Sequence, residues 1–212
     1  MRARGTGTGR SAEIVSLAER MGYLQGLRAG FVAVAVASAL LFPGFVGASL
    51  RDVAVVSFAY FVLTALIEAV RRIGGGRHLY VVAGMLLADG VYLAWIMYLT
   101  GFTQSPLRFM LYLHLIAVTL LASYRTGLKI ALWHSLMFFV VFHAQLAGLL
   151  DPRGTSLDMR GVNGLVEYRP SIFNVMAFWV VALGTSLFSF LNERELRRRK
   201  NDLEALNEMG VE

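Results

Sequence analysis

Several ionisable side chains stand inside long apolar runs, where such groups are costly and mark candidate functional sites. Asp89, His114 and His134 each lie well within a stretch of about twenty mostly apolar residues. At 1.5 Å per residue, Asp89 and His114 would lie about 15 Å from the same face of a helical bundle, and His134 about 10 Å. We therefore expect these three side chains to share one layer of the protein.

Two histidines at similar depth on adjacent antiparallel helices are what bis-imidazole haem ligation requires. His134 and His143 are nine residues apart and point to opposite helix faces, so only one of them can face His114. We predict b-type haem bound by His114 and His134 as the iron ligands, with His114 and His143 as the second choice. In the alternative interpretation, each histidine is neutral and hydrogen-bonds a carbonyl, a serine or Asp89. Zinc or copper is less favoured, because the chain has no cysteine.

A second candidate site is the turn from Thr100 to Arg108. Pro106 at a first helical position and Ser105 before it are typical of a capped helix start, which by itself explains part of this turn. As a ligand-binding set we name Asp89 and Tyr112 together with the turn residues Gly101, Ser105, Pro106 and Arg108.

The composition decides which elements position these residues. The chain has 212 residues, of which 57% are hydrophobic and 16% charged; soluble domains carry about 25% charge. A domain of this size cannot hide so much apolar surface from water, so the excess must face lipid. We predict an all-α membrane protein with six transmembrane helices, at about 26–45, 53–70, 79–100, 106–123, 128–149 and 171–191.

Positive charge predicts the orientation of this bundle. With the N-terminus inside, 15 of the 20 Lys and Arg residues, Arg28 among them, fall on the cytoplasmic side. Both termini are therefore predicted to be cytoplasmic. The net charge of +6 is a topology signal, and we expect no nucleic-acid partner.

Three regions follow from these patterns. Residues 1–25 are predicted to form a basic tail with a short interfacial helix at 11–23, and residues 26–191 the transmembrane domain. In 192–212 helix six continues into the cytoplasm, with leucines at heptad-compatible steps at Leu196, Leu203 and Leu206. We expect a homodimer through the 192–209 helix; the alternative is a solvated amphipathic tail.

The six-span pattern, Gly101, Ser105-Pro106, the Tyr124–Gly127 turn and the 192–209 helix together resemble the membrane input regions of bacterial sensor histidine kinases and of cyclic-di-GMP signalling proteins. The resemblance implies a non-enzymatic sensory domain in the bacterial inner membrane. Its stimulus would be redox state or a gas through haem, or a quinone or other lipophilic ligand. It also implies a kinase or cyclase effector outside these residues, so we expect a module of a longer protein. Phe102 and Ser105 depart from the Gly and Asn of the redox-responsive type.

Two other functions use the same features. A small membrane b-type cytochrome would use the same histidines, but that function does not explain the basic helix at 192–209. A transporter is less favoured, because no repeat relates the first three spans to the last three and Asp89 is the lone mid-span acid.

Overall fold

The computed structural model describes residues 17–73, 78–150 and 169–209, which are helical with short connections and contain no strand. Two single 3₁₀ turns, Phe102–Gln104 and Pro106–Arg108, precede the fifth α-helix. The α-helices are α1 (Leu17–Leu41), α2 (Pro43–Val46), α3 (Leu50–Ile73), α4 (His78–Leu99), α5 (Phe109–Leu121), α6 (Tyr124–Leu146) and α7 (Arg169–Met209).

Five of these helices are long and apolar enough to cross a membrane: α1, α3, α4, α6 and α7. Large hydrophobic side chains such as Phe58 and Val180, each 70% exposed, cover their outer faces, as lipid contact requires. The prediction of an all-helical fold is confirmed for the described residues, and the long apolar helices are those expected of a membrane protein. α5 has 13 residues and would extend about 20 Å, which is short for a hydrocarbon core of about 30 Å. Among the described residues, five helices thus have the length and composition of membrane spans, and the predicted sixth crossing, which α5 would have to make, is not confirmed.

Several helix boundaries differ from those read in the sequence. The first predicted span, 26–45, is interrupted: α1 ends at Leu41 and Pro43 begins α2, since proline suits a first helical position. The predicted interfacial helix is not separate, because the chain is continuous α1 from Leu17 onward. Ser105 caps Leu107 as predicted, but the segment that it opens is one 3₁₀ turn before α5.

Helix packing places α4 at the centre of the candidate site. α4 packs against α3 and α6, while α5 packs against α6 and α7, and α1 against α3 and α5. α5 and α6, neighbours in the chain, pack closely together, whereas α4 lies mainly along α6, the second helix after it. Gly90 permits this contact, because a Cβ at that position would lie 2.5 Å from atoms of the Trp133 ring.

Some sequence predictions lie outside the described residues. These are the basic tail, the first part of the predicted interfacial helix (11–16) and the end of the 192–212 region (210–212).

Candidate functional site

A buried ion pair joins α1 to α4. Arg28 donates from Nε to Asp89 Oδ1 at 2.8 Å and from Nη2 to Asp89 Oδ2 at 2.8 Å. The two side chains are only 4% and 2% exposed. Two parallel bonds between a guanidinium and a carboxylate fix both orientation and distance, so this pair links α1 to α4 through side chains in one defined geometry.

Aromatic hydroxyl groups extend the network toward α3. Tyr60 donates its hydroxyl to Asp89 Oδ1 at 2.7 Å. Its ring stacks on Tyr92 with centroids 4.0 Å apart, and the Tyr92 hydroxyl shares a 3.0 Å hydrogen bond with Ser57. Asp89 thus has strong polar partners from two other helices, which is what an anion away from water requires.

The two histidines continue the network from Asp89 toward α6. His114 Nε2 faces Asp89 Oδ2 at 3.4 Å, longer than a well-formed hydrogen bond. On the other side of the same ring, His114 Nδ1 and His134 Nε2 are hydrogen-bonded at 2.9 Å. His114 is 1% and His134 3% exposed. The predicted common layer of Asp89, His114 and His134 is confirmed.

His143 is not part of this layer. Its side chain is exposed, and its Nδ1 pairs with the carbonyl oxygen of Phe139, one turn earlier on α6, at 3.0 Å. His134, the first-choice partner, therefore faces His114, whereas His143, the second choice, does not face it.

The geometry does not fit a haem between the two rings. Metal–imidazole bonds are about 2.0 Å long, so an iron between two nitrogens holds them about 4 Å apart, whereas these nitrogens are hydrogen-bonded to each other at 2.9 Å. Within the described residues, no cluster of three His, Asp or Glu side chains is arranged to hold a metal ion. This geometry argues against the predicted bis-histidine haem, which would require the two rings to separate.

A cavity of about 30 Å³ adjoins His134 among α4, α5, α6 and α7. This is room for a water molecule. Its polar lining comes from Arg108, Tyr112, Ser135 and Asn174 besides His134, and its apolar lining includes Phe138 and Phe178. Two of the predicted ligand-binding residues, Arg108 and Tyr112, thus meet His134 at one cavity.

The Gly101–Arg108 turn lies at the outer end of this cavity. An open groove beside the turn is lined by Ser105, Pro106 and Phe173, and it shares Arg108 and Asn174 with the cavity. Gly101 has φ +109°, a conformation that favours glycine. The Ser105 hydroxyl is occupied by Leu107 N and Thr100. The turn therefore forms part of the wall of the groove, while the Ser105 hydroxyl is already hydrogen-bonded within the turn.

Sequence reasoning missed three residues of the site. Arg28 was counted as a cytoplasmic charge, but it is buried on Asp89 and therefore does not count toward topology. An arginine in one apolar run and a lone aspartate in another were the available signal that the two would pair. Tyr60 carried no comparable signal. Asn174 was recognised only from its hydrogen bonds in the structure. Its Oδ1 accepts from Arg108 Nη1 at 3.1 Å, and its Nδ2 donates to the Thr103 carbonyl at 3.2 Å.

Fold and site together define an all-helical protein with five helices suited to a bilayer and a buried, charged hydrogen-bond network between them. Comparison with family models, curated proteins and solved structures finds no match for this chain.

Proposed function

We propose that this chain is the membrane-embedded sensory input domain of a bacterial signal-transduction protein. It passes a stimulus through α7 to a cytoplasmic effector of the kinase or cyclase type. In this proposal the protein lies in the inner membrane with both termini cytoplasmic, where most of its Lys and Arg residues fall. This orientation requires the shorter apolar helix α5 to make a sixth crossing beside the five longer helices.

The observation that carries the proposal is the continuity of α7. It runs without a break over 41 residues, Arg169–Met209, which corresponds to about 60 Å. Its first half belongs to the apolar bundle. Along residues 194–206 every described side chain is exposed. A single rigid helix that joins a membrane core to a solvated end can transmit a shift or rotation along its axis.

α7 also touches the helices that carry the histidines, at several levels. The Phe178 ring lies edge-on to His134, with centroids 5.9 Å apart. Ser189 donates to the Thr119 carbonyl of α5 at 3.2 Å, and the Phe190 ring meets Tyr124 at the start of α6. A change at the His134 ring therefore reaches α7 by direct contact.

The solvated half of α7 has the features of a paired signalling helix. Leu196, Leu203 and Leu206 are 67%, 65% and 61% exposed and recur at heptad-compatible steps. An i,i+4 pair between Arg199 and Glu195, at 2.9 Å, supports the helix between them. Parallel pairing of two copies along these leucines would cover them, so a homodimer is part of the proposal.

Cysteine crosslinking in native membranes tests this proposal, and the absence of cysteine makes the background clean. Single cysteines at Leu196, Leu203 and Leu206 are expected to form disulfides between copies. Cysteines at Arg198 and Asn201, on the other side of the helix, serve as matched controls and are expected to react little. Yields should therefore follow a period of about 3.5 residues.

The same assay tests communication with the buried network. Asp89→Asn is expected to change the ratio of yields at Leu196 and Leu203, while His143→Gln, which alters an exposed histidine, leaves the ratio unchanged. Uniform yields along the helix, or a periodic pattern that Asp89→Asn does not alter, would count against the proposed function.

A further inference from the structure

The protons on the two histidines follow from the charge of Asp89. A bare ring nitrogen facing a carboxylate at 3.4 Å is repelled, whereas an N–H is attracted, so His114 carries its proton on Nε2. His114 Nδ1 is then an acceptor, and the 2.9 Å bond requires His134 to donate from Nε2. A neutral His134 therefore has a bare Nδ1.

That nitrogen is the unusual group of the site. Of the two buried imidazole nitrogens that lack a hydrogen-bond partner among the described residues, His114 Nε2 at least faces Asp89 Oδ2, whereas His134 Nδ1 has no such partner. Buried polar atoms nearly always have one. His134 also lines the cavity whose outer residues, Arg108 and Asn174, border the open groove beside the Gly101–Arg108 turn. The groove and the small, mostly apolar cavity thus lie in series between that face of the bundle and the His134 ring, with Arg108 and Asn174 between them.

We propose that His134 is the entry point of a proton-binding site, loaded through this cavity from the face that carries the Gly101–Arg108 turn. A proton delivered by water binds His134 Nδ1, and His134 passes its Nε2 proton to His114 Nδ1. His114 in turn releases its Nε2 proton to Asp89 Oδ2. Both histidines end neutral with the proton on Nδ1, and Asp89 ends as a neutral carboxylic acid.

The product of this relay is an altered ion pair. The charged and titratable groups facing the relay are Arg28 from α1 and Tyr60 from α3, with Arg108 and Tyr112 at the cavity; α7 contributes the uncharged Phe178 and Asn174. Neutral Asp89 leaves the Arg28 cation buried without a counter-charge, which favours separation of α1 from α4. The inference rests on the proposed function in that it names protons as the stimulus.

The starting protonation can be measured without any substitution. Nitrogen NMR of the full chain, labelled with ¹⁵N-histidine and reconstituted in lipid bilayers, distinguishes the two neutral tautomers. We expect both buried histidines to carry the proton on Nε2 at neutral pH, with signals assigned by loss in His114→Gln and His134→Gln. A proton on His134 Nδ1 at neutral pH would overturn the relay.

The end point is measured by infrared difference spectroscopy on acidification of the same bilayers. We expect a protonated-carboxyl band that is lost in Asp89→Asn. After a rapid pH drop, His134→Gln should slow the appearance of this band by about a hundredfold, as loss of a proton-transfer group does. His143→Gln, on the same helix but outside the network, should match the wild type. Asn174→Leu, which makes the cavity mouth apolar, provides a second slow variant should His134→Gln not fold.

Two results would overturn the inference: no Asp89 band while the protein stays folded, or equal rates in His134→Gln, Asn174→Leu and wild type. Vesicles of known orientation test the face from which the proton enters. Acid added on the face of the Gly101–Arg108 turn should produce the Asp89 band faster than acid added on the other face. An Asp89 band without any periodic crosslinking of α7 would support the proton site and contradict the sensory function. Periodic crosslinking of α7 without an Asp89 band would support the sensory function and contradict the proton site.

Discussion

Arg28 and Asp89, 61 residues apart in the chain, form a two-pronged ion pair at the contact of α1 and α4. The pair holds the first helix of the bundle against the central one and presents the second carboxylate oxygen to His114. It is therefore both a structural contact and the inner end of the histidine chain.

Removal of either charge alone is expected to destabilise the fold. Arg28→Met leaves a buried anion and Asp89→Asn a buried cation, so each should cost about 3–5 kcal/mol of unfolding free energy. The double variant removes both charges and should cost clearly less than the sum. Unfolding in mixed detergent micelles measures all three. Arg199→Met, in the exposed pair with Glu195, is the control and should change stability little. Additive single effects would contradict a direct pair.

Loss of the Tyr60 hydroxyl should cost more than loss of the Tyr92 hydroxyl. Tyr60→Phe removes a bond to a charged acceptor, worth about 1.5–3 kcal/mol, whereas Tyr92→Phe removes a neutral bond to Ser57, worth about 0.5–1.5 kcal/mol. Since the two rings stack on each other, each variant controls for packing in the other. The same unfolding measurement compares them, and equal losses would argue that Asp89 is not ionised.

An added methyl group at Gly90 should disturb the α4–α6 contact. A Cβ at Gly90 would lie 2.5 Å from Trp133 ring atoms, and overpacking of this kind costs about 1–3 kcal/mol. Gly84→Ala on the same helix is the matched control, because nothing lies within 4 Å of its Cβ. It should be neutral or stabilising by up to about 1 kcal/mol, the helix preference of alanine over glycine. Trp133 fluorescence should shift in Gly90→Ala only; a wild-type spectrum there would contradict the close contact.

An absorption spectrum tests the haem prediction directly. Because His114 and His134 share a 2.9 Å hydrogen bond, we expect protein purified after expression with haem to show no Soret band, oxidised or reduced with dithionite. A Soret band lost in His114→Ala but kept in His143→Ala would show instead that the rings open to admit iron.

Length and hydropathy made the helices predictable. Runs of apolar residues near the length of a bilayer crossing, separated by glycine and proline, indicated every long helix that the structure contains. Depth counting along those helices placed Asp89, His114 and His134 in one layer, because the rise per residue of an α-helix is constant. Helix rotation at 100° per residue likewise separated His134 from His143.

Contacts between helices were not predictable in the same way. Nothing in one sequence states that α4 packs along α6, which depends on Gly90 meeting Trp133. The pairing of Arg28 with Asp89 depends in turn on α1 reaching α4. By itself the sequence determined the helices, their apolar faces and the depth of each ionisable group, since these follow from local periodicity. Only the tertiary structure decided which groups touch, because a buried charge takes its partner from whichever helix the packing brings within hydrogen-bond distance.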